Sequence, residues 1–315
     1  MEYGKRVIAL GFFDGVHVGH AALLRKASER AEELGVQPAV ISFDNHPVKM
    51  ITGNAVPLIN SPLDRMDVIR RLFNITDLIF LHFDSGLMHM PWQDFVKWLR
   101  DDFGAVHLVA GYDFHFGYRG EGNPERLTSR CAELGIGCDI IEQVCIDGVP
   151  ASSTYIRELL ADGKLATANK FLGHFHFLND VVRCGYRFGR TLGTPTINMR
   201  FEDGVLIPRH GVYAAEAHIL NTGEFYEAVT NIGVRPTVGG TDAVTVESHI
   251  LGYSGNLYGK NIRVDFHRFL RPEMHFENVS ALRDQIRRDA ADTQLYFNKL
   301  PPDKRVDPFD FYKKN

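Results

Sequence analysis

Three short stretches gather side chains that could do chemistry. "GFFDGVHVGH" (11–20) sets His17 and His20 three apart behind the apolar run Val7–Leu10, with three glycines and Asp14 in the same stretch. Two imidazoles at this spacing suit half of a metal site, contacts to a phosphate at the mouth of a helix, or a solvated turn. A metal needs a third and a fourth ligand, and no H-x-x-x-H, H-E-x-x-H or cysteine cluster supplies them. A strand, a glycine-containing turn and a helix start form a ready anion site, with unpaired N–H groups and partial positive charge. Gly19 lets backbone approach a ligand. Phosphate is the favoured reading.

The second stretch, "SSTYIRELL" (152–160), places Ser152, Ser153 and Thr154 at a helix start with Arg157 one turn in. They can converge on one anion, or the hydroxyls can simply cap the helix. In the third, "AVTVESHIL" (243–251), Glu247 shares a strand face with Thr245 and His249, and alone it reads as a solvated outward residue. A weaker signal is the loop of Gly185, Gly189 and Gly193 with Arg187 and Arg190. It could wrap phosphates but is no Walker A, because no G-K-[ST] follows.

The elements that must position these groups fall into two patterns. Up to about residue 172, strands and helices alternate. Strands are expected at Arg6–Phe13, Gln37–Asp44, Asp77–Phe83, Ala105–Gly111 and Cys138–Cys145. Helices are expected at Val18–Leu34, Pro62–Leu72, Pro91–Phe103, Pro124–Leu134, Ser153–Leu160 and Leu165–Leu172. That order predicts an α/β domain with a parallel sheet, whose ligands bind at the carboxyl ends of the strands. After Gly173, strands follow without helices: Phe177–Cys184, Gly211–Leu220, Glu224–Ile232, Ala243–Leu251 and Asn261–Phe269. They predict an all-β domain closed into a small antiparallel barrel, with a terminal helix near Ser280–Asn298. The domains are therefore read as 1–172 and 173–315.

With 315 residues the chain is comfortable as two domains. A net charge of −4 provides no global field toward nucleic acid or an anionic membrane. No stretch reads as a membrane span or a secretion signal, so the expectation is a cytoplasmic protein without nucleic-acid or membrane partners. Cys131, Cys138, Cys145 and Cys184 form no C-x-x-C pair and are expected to be buried thiols.

"GFFDGVHVGH" resembles the H-x-G-H signature of the nucleotidyltransferases, in the D-G-V-H form of the bifunctional prokaryotic riboflavin kinase/FAD synthetases. "FDNHP" (43–47), "GYDFHFG" (111–117) and "SSTYIRELL" match the same family. So do "GRTLGTPTIN" (189–198), "NIGVRPT" (231–237), "VESHIL" (246–251), "LYGK" (257–260) and "LRPE" (270–273). The resemblance implies a Rossmann-like nucleotidyltransferase domain followed by a riboflavin kinase barrel. It implies Mg²⁺ with ATP, and riboflavin, FMN and FAD as substrates and products. In the first domain it implies His17, His20 and Arg157 as catalytic. Phe12, Asp14, Gly15, Gly19, Asp113, Ser152, Ser153 and Thr154 would bind ATP and phosphate, and His46 the flavin. In the second it implies Glu247 as catalytic base and Thr196 and Asn198 as metal ligands. Gly189, Arg190 and Thr191 would hold ATP, and Arg271 the flavin. His115 stands where the family commonly has Arg, which replaces a permanent fork with a titratable group. A kinase with a silent first domain and a non-catalytic flavin sensor are the alternatives on sequence alone.

Overall fold

The structure is a computed structural model that describes residues 4–183, 194–235 and 243–301. The chain forms two compact units, Met1–Ser153 and Thr154–Asn315. In the first, the elements run β1 (Arg6–Leu10), α1 (Val18–Leu34), β2 (Gln37–Phe43), α2 (Pro47–Thr52), α3 (Pro62–Phe73) and β3 (Asp77–Leu81). Then come α4 (Ser85–Met88), α5 (Trp92–Phe103), β4 (Ala105–Gly111), α6 (Pro124–Glu133), β5 (Gly137–Ile141) and a short hairpin of β6 (Cys145–Ile146) and β7 (Val149–Pro150).

The five long strands form one parallel sheet in the order β3-β2-β1-β4-β5. Their middles are apolar on both faces, as a strand covered on both sides requires. Ile8, Leu10, Ile41 and Leu108 pack against Phe95, Val96 and Leu99 of α5 and Leu127 and Cys131 of α6. Helix α1 lies against β1, β2 and β4, burying Leu24, Ala27 and Ala31. The order reverses direction at β1, whose neighbours are β2 and β4, and this is where doubly wound sheets open a binding crevice.

The second unit begins at Thr154, within α7 (Ser153–Ala161), and continues with α8 (Leu165–Leu172). Then follow β8 (His176–Val181), β9 (Thr196–Met199), β10 (Gly211–Ile219), β11 (Glu224–Arg235), β12 (Ala243–Ile250), β13 (Asn261–Arg271) and α9 (Val279–Lys299). Packing divides the chain after Ser153, so α7 and α8, which the sequence places before a boundary at 172/173, are counted with this unit. Helix α8 lies on β13 and β8, and Leu160 O accepts the N–H of Arg209. The six strands run β8-β13-β10-β11-β12-β9, and a bridge between Arg183 and Asn198 joins the two edges. The sheet thus curls back on itself, which removes its open edges. Tyr213, Ala215, Ile232, Val246, Ile262, Val264 and Phe266 fill the interior, and α9 covers β10 and β11.

Several expectations need correction. The first strand ends at Leu10 rather than Phe13, because Phe13 takes a left-handed conformation (φ 57°) that no strand tolerates. The strand expected over Cys138–Cys145 breaks after Ile141, and Cys145 starts the hairpin. Cys131 is buried, Cys138 is half-buried and Cys145 is exposed on that hairpin, so the expectation of buried thiols fails for Cys145. Cys184 lies outside the described residues. Thr196–Met199 forms strand β9, where no strand was expected. The short helices α2 and α4 carry too few residues to show a period.

Candidate active sites

In the first unit the chain leaves β1 and turns sharply. Phe13, Gly15 and Val16 all have positive φ (57°, 80° and 41°) before α1 starts. Valine in this region is strained. The turn is held from outside: the buried carboxylate of Asp14 accepts the N–H groups of Ile59 (2.9 Å) and Asn60 (3.3 Å). Ser153 Oγ, from the last residue of this unit, donates to Asp14 O at 2.9 Å.

His17 is the N-cap of α1. Its Nδ1 accepts from the N–H groups of Gly19 (3.2 Å) and His20 (3.4 Å), which leaves Nε2 as the ring's N–H. A Cβ at position 19 would press on the His17 ring at 3.0 Å, so glycine permits this cap. The His20 ring stacks on that of His17 (centroids 3.7 Å, 18° apart) and meets Phe13 edge-on. Burial holds His20 well below the usual imidazole range, helped by His17 and Arg65. His20 is therefore uncharged at neutral pH in the free protein.

The other first-domain candidates gather at the same edge of the sheet. The His46 ring, just past β2, lies 4.4 Å from that of Phe12, and its Nδ1 accepts from Val48 N. Asp113 is exposed just beyond β4, with His115 Nδ1 2.9 Å from its carbonyl. Asn45 bonds the N–H and C=O of Phe83 with its amide, stitching the ends of β2 and β3. The two motif loops 11–20 and 111–117 thus lie past the carboxyl ends of adjacent strands β1 and β4. Ser152 and Ser153 close this unit. Thr154 and Arg157 lie on α7 in the second, one exposed and one half-buried.

The second unit assembles its candidates by strand register. Glu247 on β12 stands directly opposite Asn198 on β9 and Asn231 on β11, and His249 stands opposite Thr196. Val246, Ser248 and Ile250 turn into the core, with Ile197 and Met199 of β9. Glu247, Thr196, Asn198 and Asn231 are half-buried on the other face. Asn231 lies in the quoted "NIGVRPT" block, but nothing in its local sequence marks it. A cavity of about 190 Å³ touches Thr196 and is bounded by Pro195, Ile250, Tyr253, Asn256 and Tyr258.

Arg271 is placed differently. Its guanidinium forks onto buried Asp289 of α9 (3.0 and 2.7 Å), and Nη1 donates to Pro272 O. These contacts fasten α9 to the end of β13. Gly189, Arg190 and Thr191 lie outside the described residues, with the rest of that Gly/Arg loop.

A family model described as FAD synthetase matches residues 2–155, and one described as riboflavin kinase matches residues 172–297. A bifunctional riboflavin kinase/FMN adenylyltransferase of Pseudomonas fluorescens is 35% identical over 291 residues, 92% of each chain. The protein of that name from Listeria monocytogenes is 32% identical over 298 residues, 94% of each chain. A crystal structure from Streptococcus pneumoniae, described as a macrolide-efflux protein, superposes with a TM-score of 0.82 at 27% identity. It covers 93% of this chain and 95% of its own. Among the described residues no helix is long and apolar enough to cross a membrane.

Proposed function

The chain belongs to the bifunctional riboflavin kinase/FMN adenylyltransferase family, which converts riboflavin to FMN and FMN to FAD with ATP, and from that premise we propose which residues carry each step. Both family models match, which disfavours the silent-domain and sensor alternatives.

For adenylyl transfer we assign the first-unit turn. The FMN phosphate attacks the α-phosphorus of ATP, FAD forms and pyrophosphate leaves. The nucleophile is already an anion, so no base is needed and catalysis reduces to positioning and charge stabilisation. The N–H groups at the mouth of α1 and the Nε2–H of His17 offer donors to phosphate oxygens. His20, uncharged in the free protein, gains affinity for a proton as anionic oxygens arrive. Phe12, Asp14, Gly15 and Gly19 shape the turn around the polyphosphate. On the family pattern, Ser152, Ser153, Thr154 and Asp113 are assigned to ATP, Arg157 to catalysis, and His46 to the flavin. The observation that carries this reading is the convergence of both motif loops at the carboxyl ends of β1 and β4.

For phosphoryl transfer we assign Glu247 as the base that takes the proton of the ribityl hydroxyl while ATP's γ-phosphoryl moves to that oxygen. Thr196 and Asn198 bring a hydroxyl and an amide oxygen, hard donors suited to Mg²⁺. Bound there with ATP, the ion would neutralise phosphate charge. The cavity beside Thr196 is the proposed seat of the nucleotide base. Gly189, Arg190 and Thr191 are assigned to ATP, and Arg271 to the flavin side, by resemblance. The cytoplasm, where ATP and flavins meet, is the proposed compartment, and nucleic acid is outside the proposed partners.

The test is chromatography of flavins after incubating the pure chain with ATP and Mg²⁺ and either riboflavin or FMN. FAD is expected from both, and chelation of Mg²⁺ is expected to stop the riboflavin step. Riboflavin that binds without conversion would overturn the kinase assignment, and FMN that stays unconverted would overturn the adenylyl-transfer assignment.

A further inference from the structure

Among the described residues, Arg65 on α3 is, with Arg263, one of the two largest fully buried side chains, and it belongs to neither assigned site. Its Nη1 donates to Phe12 O and lies 3.4 Å from Ser42 Oγ, and Nη2 donates to Phe43 O at 3.0 Å. The guanidinium sits 4.3 Å from the centroid of the Phe12 ring and 5.3 Å from that of Phe80. Among the described residues, no carboxylate lies within ion-pair distance of it. Asp14 and Asp44 act on it only from farther away. Burial lowers its pKa to about 10, so it is still a cation at neutral pH. An apolar side chain of similar length would fill this space without the cost of a buried charge, so packing alone does not account for an arginine.

The groups it binds suggest the account. Phe12 O lies at the entry to the turn that presents His17 and His20, and Phe43 O at the end of neighbouring β2. The segment before Arg65 holds the same turn, because Ile59 N and Asn60 N bind Asp14. Ser61, which caps α3 through Asp64 N, ties that segment to the helix carrying Arg65.

We propose that Arg65 is a positioning residue for adenylyl transfer: it fixes the turn at Phe12 and holds an unneutralised cation beside the polyphosphate site. The inference rests on the assignment of that site above. The same charge bears on His20, whose charged form is disfavoured by burial, then by His17 on its own helix, then by Arg65 from α3.

The test uses the full chain with R65M and R65K. Riboflavin kinase activity, which belongs to the second unit, serves as the control in each variant. R65M is expected to keep kinase activity and lose about tenfold or more in kcat/KM for FAD formation. The His20 ring signal, assigned by its loss in H20N, is expected to titrate higher in R65M, by about half a pH unit or more. R65K keeps the charge but cannot serve both carbonyls, so His20 should titrate as in the wild type while FAD formation still falls. Wild-type FAD kinetics in R65K overturn the positioning role, even if R65M fails to fold. An unmoved His20 titration in folded R65M overturns the electrostatic role. A wild-type chain that makes no FAD would instead sink the site assignment itself, and the NMR titration does not depend on it.

Discussion

The two candidate sites are built by opposite means. In the first unit, a strained turn after one parallel strand offers backbone N–H groups and two stacked imidazoles, and its shape is enforced from β2 and α3. In the second, separate strands each contribute a side chain, and antiparallel register alone brings Glu247 opposite Asn198 and Asn231. A turn of this kind suits chemistry that needs only anion binding. A register-built face suits chemistry that needs a base at a fixed place. If that contrast is right, damage to one site should leave the other's reaction intact.

The largest expected effect tests this separation. E247Q keeps the size of the side chain and removes its basicity. It should lower the riboflavin kinase kcat by about 10²–10⁴-fold, the range for loss of a general base. FAD formation from added FMN should be unchanged. H20A should do the reverse, lowering FAD formation by about 10²–10³-fold, as for loss of a charge-stabilising donor. Steady-state assays of both reactions on both variants decide it, and a variant that depressed both would break the comparison.

The same contrast explains what the sequence made legible. Helix α1 could be read to its ends, with Gly35, at φ 64°, closing it; of the stripe expected at Leu24, Ala27, Ala31 and Leu34, the first three are buried, while Leu34 in the last turn is exposed. The alternation in β12 correctly separated the core residues Val246, Ser248 and Ile250 from the face of Glu247. Strand β9 was not legible, because four residues after a proline show no period. Asn231 carries no local mark, since its position opposite Glu247 exists only once β11 and β12 pair. Arg65 was invisible for a related reason. On an amphipathic helix beside Asp64 and Asp67 an arginine reads as solvated, and only the packing of α3 under the turn buries it.

A smaller effect concerns the outer face of the barrel. His218 lies between the carboxylates of Glu216 on its own strand (3.0 Å) and Asp265 on β13 (3.1 Å), with Arg263 on Asp265. Burial works against charge on His218, but hydrogen bonds to Asp265 and Glu216 overcome it and push its pKa to about 9, from 6.5. A folded-state value above the unfolded one gives stability that is full below about pH 6.5 and lost as pH rises through about 9. The second unit should lose about 1–3 kcal/mol over that window, and H218Q should flatten the loss. Denaturant titrations between pH 6 and 10, followed through riboflavin kinase activity, would show it. A pH-independent midpoint would place no charge on His218.

The smallest effect sharpens the comparison most, because it separates architecture from chemistry within one residue. His17 caps α1 through Nδ1, so H17A should cost about 1 kcal/mol of first-unit stability. H17N should cost much less, since asparagine is itself a good N-cap that accepts from the same N–H groups. What H17N loses is the ring N–H. If it restores stability but not FAD formation, His17 serves the helix and the phosphate with different atoms, and the turn-built site depends on both. If it restores both, His17 is a cap only, and the side-chain contribution to phosphate at this turn falls to His20. The first site would then, like the second, hang on one side chain placed by its scaffold, and the contrast between them would narrow to how that scaffold is made.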